Sequence, residues 1–163
     1  PAGTVTDALT TAMDFFPTFS ALAGVNTPDD RIIDGKDITA VMKDPTADSP
    51  TDSFFYYRGD TLEAVRAGTW KLHVRKGGED IRELYNLEDD IGETQNVYAT
   101  HPDIVTKLNL LLDECREDIG DDARGIEGAN RRPLGRVDNE KPMTEYDPTH
   151  PYIIAEYDLP HVG

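Results

Sequence analysis

The chain has 163 residues, enough for one domain with a sizeable core, since a domain of this size hides roughly two-thirds of its unfolded surface. Its formal net charge of −16, from 32 acidic against 16 basic residues, excludes the basic footprint that nucleic acid or an anionic membrane requires. No run approaches the ~20 apolar residues of a spanning helix, and a single cysteine, Cys115, excludes an internal disulfide.

The first element predicted is a helix over Asp14–Ala23. Asp14 is a suitable N-cap for the free amides of the first turn, and Pro17 falls third, where its missing N–H costs nothing. Phe15, Phe19, Leu22 and Ala23 make an apolar stripe, and Gly24 is placed to end the helix. Residues 25–53 carry turn signals in series (Asn26-Thr27-Pro28, Asp34-Gly35, Asp44-Pro45), with a helical turn over Ile38–Met42, and read as a connector.

From residue 54 the pattern is β. Phe54–Tyr57 is an aromatic strand, Leu62–Arg66 alternates, and Trp70–Val74 alternates again with Trp70, Leu72 and Val74 on one face and Lys71 and His73 on the other. Gly77-Gly78 is a turn, and Glu83–Leu87 is a further strand in which Tyr85 is expected to close the sheet against the helix that follows. Connections this short imply antiparallel pairing. That helix begins at His101-Pro102, buries Ile104, Leu108, Leu111, Leu112 and Cys115, and stops at Gly120. The expected fold is α+β: a small antiparallel sheet of about four strands packed against one C-terminal helix. Three regions follow: 1–45 with the first helix and connector, 46–122 with sheet and helix, and 123–163 as an extended tail.

Reactive chemistry is sparse. The four histidines (His73, His101, His150, His161) form no metal-ligand spacing, and His73 reads as a surface group. The acids Glu88, Asp89, Asp90 and Glu93 lack the alternate spacing of a calcium loop and read as a polar turn. Glu114, Glu117, Asp118, Asp121 and Asp122 are expected on the exposed end of the second helix. Cys115 lies on an apolar stripe that favours an inert thiol. No catalytic, cofactor-binding or metal-binding residue is therefore assigned. Arg131, Arg132 and Arg136 form the one basic cluster: either an anion contact, or ion pairs that tie the tail to the acidic body.

Several phrases, in order, resemble the type I, formylglycine-dependent sulfatases, in particular their bacterial arylsulfatase-like branch. Met13-Asp14-Phe15-Phe16-Pro17-Thr18, running to Ala23-Gly24, is similar to the family's (L/M)D-x-x-P-T helix, and Asp34-Gly35-Lys36-Asp37-Ile38 to its DG phrase. Ala64-Val65-Arg66-Ala67-Gly68-Thr69-Trp70-Lys71-Leu72 resembles its A-(V/I)-R-x-G-x-(W/Y)-K-L strands. Glu83-Leu84-Tyr85-Asn86-Leu87, then Asp90-Ile91-Gly92-Glu93 and Asn96, is similar to its ELY(D/N)L and DPGE-x-x-N, with Ile91 in the proline's place.

The resemblance implies a C-terminal portion of a sulfuric ester hydrolase, in which the first helix is left over from a larger, alkaline-phosphatase-like α/β domain. The catalytic stretch would lie upstream of Pro1, together with the Ca2+ ion and the formylglycine. Neither belongs to this chain, whose partner is that missing catalytic domain and, through it, a sulfate ester. This unit itself would be non-catalytic, supporting the fold and the rim of the substrate cleft. A non-catalytic anion- or glycan-binding module related to sulfatases is the alternative. A periplasmic or secreted bacterial setting follows from the resemblance alone.

Overall fold

A computed structural model of the chain describes residues 2–132 and Asp138. Residues 1–131 form one compact unit. Its elements are helix α1 (Phe15–Leu22), helix α2 (Thr39–Lys43), strands β1 (Ser53–Arg58), β2 (Thr61–Ala67), β3 (Trp70–Lys76) and β4 (Glu79–Asn86), helix α3 (Pro102–Asp118), and the short strands β5 (Gly120–Asp121) and β6 (Ile126–Glu127).

Strands β1 to β4 form an antiparallel sheet in sequence order, so β1 and β4 are its edges. Side chains alternate across it. On one face Val65 and Leu72, directly paired across β2 and β3, pack with Leu62 and Leu84 under Val105, Leu108, Leu112 and Cys115 of α3. Phe55, Tyr57, Trp70 and Val74 border this core. The expected two-layer α+β arrangement is thus present, and Trp70, Leu72 and Val74 share the core face. Tyr85 does not close the sheet against α3. It follows Leu84, which points into the core, and so stands on the second face, where its ring meets His73 edge to face at 5.9 Å.

The helix over residue 14 differs in its start. Residues Ala12–Asp14 are a 3₁₀ turn and α1 begins at Phe15. Asp14 makes no side-chain cap to α1. Its carboxylate, 1% exposed, accepts instead from the N–H of Thr11 at 2.6 Å and of Lys36 at 2.8 Å. Thr18, fully buried, donates to the Asp14 carbonyl at 2.6 Å and accepts the Ile38 N–H at 3.0 Å. The connector is stapled to the helix by these two side chains. Gly35 makes the approach possible, because a Cβ there would collide with the Met13 carbonyl. The apolar stripe of α1 remains exposed, with Phe15, Phe16, Phe19 and Leu22 each more than half accessible.

At the far end, residues 120–127, assigned by their composition partly to an extended tail, pair as the β5–β6 hairpin. Asp121, expected at an exposed helix end, is instead 1% exposed. Its carboxylate accepts from Arg116 Nε at 3.2 Å and from the Leu62 N–H at 3.3 Å, binding the end of α3 to the start of β2. Arg116 lies outside the apolar stripe read from the sequence, but its ion pairs with Asp113 and Asp121 allow it to be buried.

Candidate functional site

The second face of the sheet carries a dense group of titratable side chains away from the helix layer. Lys71 and His73, two residues apart on β3, point the same way, and Glu93 reaches both from the segment after β4. Lys71 Nζ stands 2.6 Å from Glu93 Oε1, and His73 Nε2 stands 2.9 Å from Glu93 Oε2. Tyr85 donates to Glu83 Oε2 at 3.0 Å, and the Lys71 ammonium lies 4.5 Å from the centre of the Tyr56 ring. His73 is thus a half-buried, partnered group and not the freely solvated one its strand position suggested.

Charge states follow from these surroundings. Burial is the main influence lowering His73 below its ordinary value, reinforced by the Lys71 charge and opposed by Glu93. The shift favours the neutral imidazole, and because a carboxylate only accepts, Nε2–H is the donor of this contact. Burial alone would push Glu93 up, but the hydrogen bonds and charges of Lys71 and His73 together hold it below the usual carboxylate value. Tyr85 is pushed up to about 12 by burial and by its bond to Glu83, and stays a phenol.

The segment 87–97 that delivers Glu93 has its own order. Asp90 accepts from the N–H groups of Thr94 and Gln95 at 2.7 and 2.8 Å, folding the acidic run into a closed turn. Glu93 adopts φ 53°, the non-glycine residue recorded in the left-handed region. Composition alone marked this run as a polar turn. That Glu93 faces Lys71 and His73 had a signal only in the shared facing of those two residues.

The other expected positions fall elsewhere. Arg131 is taken up by acids, with Nη1 2.6 Å from Asp122 and Nη2 3.2 Å from Asp60. Arg132 is exposed, and Arg136 lies outside the described residues. Cys115 is buried, its thiol pushed up chiefly by burial, with its sulfur 3.3 Å from the Tyr57 hydroxyl. Among the described residues no group of His, Cys, Asp or Glu is placed to hold a metal ion, and no helix is long and apolar enough to cross a membrane.

The described unit is thus a four-strand antiparallel sheet under one long helix, with a short helix stapled to a connector ahead of it. Residues 1–118 match the family described as N-sulphoglucosamine sulphohydrolase, C-terminal, and the chain belongs to that family. The chain is 47% identical over 119 residues to an N-acetylgalactosamine-6-sulfatase of Canis lupus familiaris, covering 69% of this chain and 22% of that protein. It is 42% identical over 84 residues to an arylsulfatase of Hemicentrotus pulcherrimus, covering 52% of this chain and 15% of the relative. Among solved structures it resembles BT4656 in complex with its substrate D-glucosamine-2-N,6-O-disulfate. The TM-score there is 0.55 and the identity 26%, over 71% of this chain and 25% of that one. The matched part is therefore between 15% and 22% of the length of those two curated relatives.

Proposed function

We propose that this chain is the C-terminal portion of a sulfuric ester hydrolase, and that it is non-catalytic by itself. The observation that carries the reading is the family match over residues 1–118, in register with the α1 staple, the sheet and α3. In this reading the hydrolysis of a sulfate ester belongs to a larger catalytic domain outside the matched part. The calcium ion and formylglycine that such hydrolysis uses would be held there too. The described residues supply no ligand set for the ion, so no step of the reaction is assigned to a side chain of this unit.

Two features support a structural role beside that domain. The α1 stripe of Phe15, Phe16, Phe19 and Leu22 is an apolar surface of the kind that packs against further protein, and the catalytic domain is the proposed occupant. The sheet and α3, by contrast, bury their own core, which suits the supporting role at the rim of the substrate cleft that this reading gives them. The alternative, an anion- or glycan-binding module centred on Arg131, Arg132 and Arg136, draws less support, since Asp60 and Asp122 already neutralise Arg131. Sulfated sugars, the kind of substrate named for BT4656, are the substrate class proposed for the parent.

An aryl sulfate assay of the purified 163-residue chain with added calcium tests the central point. No turnover is expected, and turnover would refute it. Assay of the longer parent protein, with a sulfated monosaccharide as second substrate, is expected to release sulfate.

A further inference from the structure

Strand β4 is an edge of the sheet, and an edge presents unpaired backbone groups to any other strand. Here that edge is covered by the segment that follows it. The Leu84 N–H donates to Asn96 Oδ1 at 3.1 Å, the Leu84 carbonyl accepts the Val97 N–H at 2.9 Å, and Asn96 Nδ2 donates to the Arg82 carbonyl at 2.9 Å. One side chain and one amide thus satisfy three outward-facing groups of the strand.

What holds this strap down lies three residues earlier. Glu93 sits in the left-handed region although Gly92, which would bear that conformation without strain, is its neighbour and does not adopt it. The strained backbone brings the Glu93 carboxylate over the sheet, where Lys71 and His73 each engage one oxygen. The two features belong to one continuous segment. Asp90 closes its front, Glu93 fixes its middle to the sheet face, and Asn96 and Val97 close its end on the strand edge.

We propose that Glu93 is the clamp of an edge-guarding strap, residues 90–97, which keeps β4 from pairing with a second copy of this chain. The second copy is the occupant for a geometric reason. Antiparallel pairing of β4 with its own image is self-complementary, so an outward-facing N–H released by the strap meets a carbonyl of the same strand across a two-fold axis, and the reverse. The charge of −16 opposes that approach at low salt and is screened at roughly 0.5 M salt, where the Debye length is only a few ångströms.

Glu93→Gly sets strain against clamping, because glycine relieves the left-handed backbone and removes the carboxylate together, so a net loss of stability means that the clamp outweighs the strain. Expected are a lower thermal midpoint, faster amide exchange at Val97 and Leu84 with Val65 unchanged, and a concentration-dependent dimer by light scattering in high salt. A raised midpoint would overturn the clamp. Rapid strap exchange in a protein that stays monomeric at every concentration would overturn the guarding role. Asn96→Ala, which leaves Glu93 in place but uncovers Arg82 and Leu84, is the second variant should the first not fold. It is expected to dimerise with His73 titrating as in the parent chain, and a monomeric Asn96→Ala protein would equally count against the guard.

Discussion

Asp14 and Lys36, separated by 22 positions in the chain, are joined by a 2.8 Å hydrogen bond from the Lys36 amide to a carboxylate that is 1% exposed. A buried carboxylate that satisfies two backbone donors holds more than its own helix. Replacing Asp14 by Ala strands the Thr11 and Lys36 amides, at a cost of about 2–4 kcal/mol for two desolvated donors. The loss is expected to be local: exchange of the Lys36 and Ile38 amides accelerates, while the amides of β2 and β3 keep their protection.

The same relationship explains two of the phrases that made the family visible. Asp14 and Thr18 of the first phrase meet Gly35, Lys36 and Ile38 of the second, so each phrase records one half of a single contact. The strands were legible because their alternation is strong, and the helix because Pro102 opens it and Leu108, Leu112 and Cys115 repeat at helical spacing. Asp14 as a long-range staple was not legible, since an acid ahead of a helix is equally well placed to cap it. Asp121 and Glu93 escaped for a related reason. A carboxylate is buried only when a distant partner meets it, and neither Arg116 with Leu62 nor Lys71 with His73 is announced by local spacing.

The Asp121 contact has a large expected effect. Asp121→Ala leaves Arg116 buried beside a missing partner and the Leu62 amide unsatisfied. Breaking one side of a buried ion pair costs about 3–5 kcal/mol, and because Arg116 keeps Asp113 at 2.8 Å a drop in unfolding free energy toward the lower end of that range is expected by urea titration. Replacing both Arg116 and Asp121 by apolar residues should cost less than Asp121→Ala, because no charge is then stranded.

Acid sensitivity should come in two steps. The His73 value is lowered from 6.5 on folding, so the native state holds fewer protons than the unfolded one as pH falls through that value. Its contribution is present above about 6.5 and is lost as pH drops toward the lowered value. Glu93 is likewise lowered, from 4.5, and its contribution is lost only below that point. Urea midpoints measured from pH 7.5 to pH 3 are expected to fall in both windows. His73→Gln should flatten the upper step and weaken the lower one, since the His73 charge helps hold Glu93 down and only Lys71 then remains to do so.

Cys115 gives a reactivity test. Burial raises its thiol above the ordinary value and outweighs the Tyr57 hydroxyl 3.3 Å away, whose hydrogen bond acts to lower it, so the nucleophilic thiolate is scarce. Labelling by a thiol reagent at pH 7.5 is expected to be slow in the native protein and to rise to the free-cysteine rate in urea. Tyr57→Phe removes the hydroxyl that also donates to the Gly120 carbonyl at 2.7 Å, and should speed native labelling as the α3 terminus loosens.

The α1 surface distinguishes this unit by itself from the unit within a larger protein. Phe15 and Phe19 stack at 5.6 Å between ring centres and are 51% and 59% exposed. Residues so exposed contribute little to stability, so the double substitution of Phe15 and Phe19 by Ser should change the unfolding free energy of this chain by no more than about 0.5 kcal/mol. Binding of a hydrophobic dye should fall at the same time, because the apolar patch is gone. In the longer parent the same pair should cost several times as much, since each aromatic ring buried against a catalytic domain is worth about 3–5 kcal/mol when truncated. Equal small effects in both proteins would show that the catalytic domain does not cover this helix.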